Sequence, residues 1–132
     1  MNKARSILLA LVGTALASVT AAEAQDSGVD GWNVKFVGYA GPGCSPDTCI
    51  FSKNRFGQSW TQIDADGTRL RFVEEARDDW SVYLVDAGAG VRIQLDLWLC
   101  DVFYSDARVS HAQLYDISRA SAGVAEAVCS GH

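Results

Sequence analysis

Histidine, basic charge and long apolar runs are all scarce in this chain, and each shortage excludes something. Only His111 lies inside the sequence, because His132 is its last residue. His111 follows Ser110 in a polar loop, and no Gly-x-Ser-x-Gly elbow is present, so nucleophilic catalysis has little to build on. The 11 basic residues are outnumbered by 16 acidic ones, for a net charge of -5. Nucleic acid is therefore a poor partner, since neutralising phosphates takes a basic patch. An anionic membrane surface is a poor one for the same reason. Beyond Ala24 no segment is apolar for long enough to cross a bilayer as a helix. No phosphate-cradling glycine loop or dinucleotide fingerprint follows a strand, and no cofactor is expected. There is no internal repeat and no low-complexity linker.

The one strongly apolar stretch stands at the start. Lys3 and Arg5 precede the run Ile7 to Ala17, and Ala22-Glu-Ala24 is a small-x-small cleavage site. This is the layout of a secretory signal peptide over residues 1–24. Removing it takes the net charge from -5 to -6. The expected mature protein is residues 25–132, a single disulfide-stapled β domain without a membrane span, secreted or periplasmic.

The fold is most legible between Trp80 and Cys100. Trp-Ser-Val-Tyr-Leu-Val-Asp86 and Val91-Arg-Ile-Gln-Leu-Asp-Leu-Trp-Leu-Cys alternate apolar and polar around Ala87-Gly-Ala-Gly90. Strict alternation around a glycine-rich turn predicts a β-hairpin. If Asp86 pairs with Val91, then Leu84 faces Ile93, Val82 faces Leu95 and Trp80 faces Leu97, all on the core side. The opposite side then carries Val85, Tyr83 and Ser81 against Arg92, Gln94 and Asp96, with Trp98 next along. A slip of one residue would turn the apolar set out to solvent.

The rest reads as a meander. A first strand is expected over Gly31–Tyr39, with Trp32, Val34 and Phe36 on one face. Further strands are expected over Gln58–Asp64 and Thr68–Glu74, joined at the Asp66-Gly67 turn, with Leu70 and Phe72 inward. Asp101–Ser105 either continues the hairpin or begins a strand, and Leu114–Ser118 is a closing strand. Ser121–Cys129 is alanine-rich and suits one short helix, although Gly123 weakens it. The expectation is an all-β protein, a compact antiparallel meander of five to seven strands closing as a small barrel or a two-sheet sandwich.

Cysteine usage fits an oxidising compartment, since Cys44, Cys49, Cys100 and Cys129 make an even count in an exported chain. Cys44–Cys49 and Cys100–Cys129 is the preferred pairing. The first two share one tight loop, and the last would otherwise end a loose tail. The Cys44–Cys49 spacing is not that of a redox dithiol, nor do the four cysteines resemble a common zinc module. No metal site is expected. Asp64-Ala-Asp-Gly67 lacks the third acidic position and the distal glutamate of a calcium loop.

Three functions can be drawn from these residues. The first is non-enzymatic binding of a glycan or cell-envelope ligand on the outer hairpin face, through Tyr83, Arg92, Gln94, Asp96 and Trp98 with Arg71 from the neighbouring strand. Aromatic rings stack on sugars, and planar polar groups bind their hydroxyls. The bland account of the same residues buries Trp98 and Tyr83 and pairs Arg92 with Asp96. The second is a protein-interaction module, such as an inhibitor of a secreted enzyme, presenting Ser45, Asp47 and Thr48 on the stiff Cys44–Cys49 loop. The third is a small hydrolase drawing on Glu74, Glu75, Asp78, Asp79 and Asp96, although a domain this small seldom encloses the cleft that needs.

Overall fold

A computed structural model describes residues 27–129. The expected signal peptide and His132 lie outside the described residues. The described chain is all-β. Its strands are β1 (Phe36–Ala40), β2 (Ile50–Lys53), β3 (Ser59–Ile63), β4 (Arg69–Arg77), β5 (Ser81–Asp86), β6 (Val91–Asp96), β7 (Asp101–Ser105), β8 (Ala112–Ser121) and β9 (Glu126–Val128). Each pairs with the next, antiparallel, and β1 also pairs with β8. That pairing closes eight strands into an up-and-down barrel and decides between barrel and sandwich. Closure removes the open edges that a sheet of this length would carry.

The central hairpin holds the register its alternation demands. Asp86 pairs with Val91, Leu84 with Ile93, Val82 with Leu95 and Ser81 with Asp96. Beyond the strand ends, Leu97 N–H donates to Trp80 O at 2.8 Å. Asp101–Ser105 begins a new strand, because the chain reverses over residues 97–100 with Cys100 at φ 57°. Both disulfides join the expected partners, Cys44–Cys49 and Cys100–Cys129. They match a protein of an oxidising, extracellular or periplasmic environment. Among the described residues no helix is long and apolar enough to cross a membrane.

Three expectations are corrected. The first strand begins at Phe36 rather than Gly31, because Asp30 Oδ1 accepts the Trp32 and Asn33 N–H groups and curls the preceding residues into a turn. Val37 and Tyr39 therefore face inward, while Trp32 is 59% exposed. The alanine-rich C-terminus is no helix. Gly123, at φ 99°, turns the chain, and residues 126–128 pair with Arg119–Ser121 of β8. Nine strands form instead of five to seven. β9 is one of the additions and β2, directly after the stapled loop, is another.

The inward side chains fill the barrel. Val37, Phe51, Trp60, Val82, Leu84, Leu95, Val102 and Ile117 are all fully buried. Eight strands leave an interior just wide enough for side chains. The two ends differ. At one end Val29, Val34 and Leu97 complete the filling. The leading segment is laced over that end through Gly31 N–H to Asp79 O at 2.8 Å and Arg77 Nη1 to Trp32 O at 2.9 Å. Gly31 approaches so closely that a Cβ there would lie 2.1 Å from the Asp78 carbonyl oxygen, so only glycine fits. Beside it, Trp60 Nε1–H donates to Glu74 at 3.0 Å, and Glu74 pairs with Arg77 at 2.9 Å. The other end opens between the β1–β2, β3–β4, β5–β6 and β7–β8 connections, and forms a mouth.

Candidate functional site

Antiparallel pairing puts Tyr83, Gln94 and Phe103 in one row across the outer faces of β5, β6 and β7. Arg92 lies one step nearer the mouth in the same column, opposite Val85 and Ser105. The β7–β8 connection folds back over this face. It carries His111, whose ring lies flat on Phe103 with centroids 4.0 Å apart and planes 11° apart. His111 Nε2 meets Gln94 Oε1 at 2.9 Å, and its N–H donates to Ser105 Oγ at 2.8 Å. Its backbone sits at φ 54°, a strained conformation outside glycine, held by these three contacts. The result is a groove of about 260 Å³ lined by Glu75, Tyr83, Arg92, Gln94, Phe103, Ser110 and His111, among others.

A polar network runs along its floor. Gln94 Nε2 donates to Ser81 Oγ at 3.0 Å, and Tyr83 OH donates to Asp78 Oδ2 at 2.6 Å. That bond is the main cause of two opposite shifts. It holds the Asp78 carboxyl below the usual range, with help from the Trp80 and Ser81 N–H groups and against burial. It pushes the Tyr83 phenol up, with burial adding to the effect. Asp96 is raised, first by burial, which its bonds from the Leu99 and Trp98 N–H groups only partly offset, and further by the charge of Asp78.

The structure therefore gathers Tyr83, Arg92 and Gln94 around one groove, while Asp96 stays outside its lining and touches it only through Gln94 Nε2, 3.5 Å from Asp96 Oδ2. The other two expected members lie elsewhere. Trp98 sits in the β6–β7 turn at the closed end, where Asp96 Oδ1 accepts its N–H and its ring packs against Trp80 at 5.4 Å. It is 40% exposed, so it belongs neither to the core nor to the groove. Arg71 is exposed on β4, paired across to Thr61, and Glu75 takes its expected place beside the hairpin. Arg92 pairs with Glu75, not with Asp96. A bulge between Glu74 and Ala76 in the β4–β5 pairing leaves Glu75 unpaired and aims it at Arg92. Sequence reasoning misses Phe103, reads His111 as a plain loop residue, and reads Glu75 as a candidate hydrolytic acid and not as a partner of Arg92. Phe103 alone had a local signal, since Val102 and Tyr104 flank it at inward positions.

The stapled loop lies flat on the barrel. Pro46 backs onto Gly38, where a Cβ would meet the Pro46 carbonyl oxygen at 2.4 Å. Asp47 pairs with Arg119 at 3.1 Å, and the Ser45 and Thr48 hydroxyls bond each other at 3.0 Å. The acidic residues proposed for hydrolysis are dispersed. Glu74 faces Arg77, Asp79 accepts from Trp32 Nε1 at 3.0 Å, and Asp78 binds Tyr83. In the Asp64–Gly67 turn, Asp66 accepts the Thr68 N–H at 2.9 Å and Asp64 is bonded to Tyr39. Among the described residues, no three His, Cys, Asp or Glu side chains converge as a metal site requires.

The mouth holds a second concavity, of about 320 Å³. Alternation along β3 places Gln62 on the same side as buried Trp60, so a polar residue occupies an inward position. Gln62 is only 5% exposed. Its Nε2 donates to Tyr39 OH and to Asp64 Oδ1, each at 3.0 Å. Tyr39 OH in turn reaches Asp64 Oδ1 at 2.8 Å, and burial drives its phenol far above the usual tyrosine range.

No family model, curated protein or solved structure compared with the chain matches it.

Proposed function

We propose that this protein is a non-enzymatic binding domain, secreted or periplasmic, that recognises a glycan or glycan-bearing envelope ligand in the groove of Tyr83, Arg92, Gln94, Phe103 and His111. The observation that carries the reading is the double fixing of His111. A positive-φ residue is stacked on Phe103 and bonded to Gln94, so a flat aromatic surface stands rigid beside the exposed Arg92–Glu75 pair. A rigid ring beside planar, bidentate polar groups is what a pyranose requires, and preorganisation lowers the entropy lost on binding. The disulfides and the N-terminal sequence support the compartment. No observation favours the loop-borne inhibitor, since Ser45, Asp47 and Thr48 are all engaged within the molecule.

The test is a screen of neutral and acidic oligosaccharides by titration calorimetry, repeated with Arg92→Ala and His111→Ala. Both residues are exposed, so the fold should survive. The reading expects at least tenfold weaker binding in each variant and no change for Trp98→Phe. An absence of saccharide binding at millimolar concentration, or binding indifferent to both variants, would sink it.

A further inference from the structure

A second concavity, separate from the outer groove, lies at the mouth of the barrel. We infer that the mouth binds a small organic cation with an apolar body, an alkyl- or arylammonium, holding its charged head between Gln62, Asp64 and Asp86.

The chemistry of the lining selects the charge. Two carboxylates, Asp64 and Asp86, face the cavity, and none of the side chains lining it is basic. Gln62 adds a third acceptor. Its amide is oriented without ambiguity, because Asp64 Oδ1 can only accept and so fixes Nε2 as the atom that faces it. Among the described residues the Gln62 carbonyl oxygen has no hydrogen-bond partner, and it sits on a side chain that is otherwise buried and borders the cavity. Asp64 uses only Oδ1 in the network with Tyr39 and Gln62, so its second oxygen is also free to accept. An ammonium offers three donors and no acceptor, which is the complement of this set. An anion would face two carboxylates in a partly enclosed space, where like charges repel more strongly than in water.

The walls select the body. Leu70 and Leu114 are exposed at the rim, at 41% and 42%, and Phe72 lies beneath. Leu70 and Phe72 occupy inward positions of β4, so the apolar surface is continuous from rim to floor. Tyr104 and Tyr115 add rings that attract a cation placed over their faces. The volume of about 320 Å³ is at the small end of ligand pockets, enough for one ring and a short chain. The protein's net negative charge draws cations toward the opening.

The test uses phenethylammonium as probe, with phenethyl alcohol and 3-phenylpropionate as its neutral and anionic counterparts, followed by NMR shifts of the Tyr104 and Tyr115 rings. The expected result is saturable binding of the ammonium, at least tenfold weaker binding of the alcohol, and none of the carboxylate. Asp86→Asn should weaken the ammonium by about as much as the loss of one charge pair, on the order of five- to tenfold. Gln62→Leu should weaken it while leaving saccharide binding in the outer groove intact. Asp64→Asn keeps an acceptor for Tyr39 and so serves where Gln62→Leu fails to fold. Equal binding of the alcohol and the ammonium, preference for the carboxylate, or no ring shift with any probe at millimolar concentration would overturn the proposal. Because the two sites share no side chain except Ile93, failure of either leaves the other standing.

Discussion

At the closed end of the barrel Val29, Val34 and Leu97 complete an apolar filling, whereas at the mouth Gln62, Asp64 and Asp86 occupy inward positions that apolar residues hold elsewhere. The strands are the same ones at both ends, and the difference lies in which residue types stand at successive inward steps and in the leading segment that covers one end only. On β3 the step from Trp60 to Gln62 is the step from apolar filling to a polar cavity lining. On β5 it runs from Leu84 to Asp86. The closed end also carries the tethered leading segment, the Glu74–Arg77 pair and the Cys100–Cys129 bridge.

The sharpest break of this comparison is Trp60→Ala. It removes a fully buried ring together with its bond to Glu74, and should cost about 3–5 kcal/mol in urea unfolding. The disulfides come next. Replacing Cys100 and Cys129, 29 residues apart, should cost about 3.6 kcal/mol, against about 2.2 kcal/mol for Cys44 and Cys49, only 5 apart, if loop closure sets the effect. Equal losses would mean that the stapled loop at the mouth carries more structure than its packing suggests. Arg77→Met strands a largely buried Glu74 carboxylate and should cost roughly 3 kcal/mol at pH 7. At the mouth, Leu114→Ala should stay within about 0.5 kcal/mol, because the side chain is already partly in water.

Acid should act on two carboxylates of the closed end with opposite signs. Burial would raise Glu74, but the bonds from Arg77 and Trp60 outweigh it and hold its carboxyl below the usual range. A lowered folded pKa stabilises above the unfolded value, near 4.3, and that stabilisation disappears as pH falls through the folded one. The wild type should therefore lose stability below about pH 4, and Glu74→Gln should flatten that limb of the curve. Asp96 has the opposite sign. Its raised carboxyl makes the anion a burden at neutral pH that is relieved as pH falls, so Asp96→Asn, which keeps an oxygen for the Trp98 and Leu99 N–H groups, should raise Tm slightly at pH 7. A lower Tm would show that the carboxylate's charge is needed in the turn.

What could be read in advance follows from what is local. Alternation set the whole β5–β6 register, because a half-buried strand punishes every slip by exposing its apolar face. Alanine content misled at residues 121–129, because helix propensity is a short-range preference and the pairing of β9 with β8 is not. Glu75 reaches Arg92 through a bulge that leaves no mark in composition, while Arg71 lies two residues nearer the mouth than Val73, the partner of Val85. Trp98 lay where alternation runs out, at a turn capped by Asp96. Gln62 and Asp86 were legible in principle as polar residues in phase with an apolar stripe, but their meaning depends on their sharing one end of a closed barrel. That is a property of topology.

The seam of the barrel carries one more consequence. Along one side of β8, β7 pairs with Ala112–Asp116 and β9 takes over at Arg119–Ser121, with Cys100–Cys129 tying the two short strands together where they meet. β9 is only three residues long and Cys129 is its anchor. Reduction of that bond would let β9 peel away and bare a row of N–H and C=O groups on β8. Bare strand edges recruit other chains. In a reducing cytosol the hazard to this protein would be aggregation as much as unfolding, so oxidation matters to it as protection of an edge.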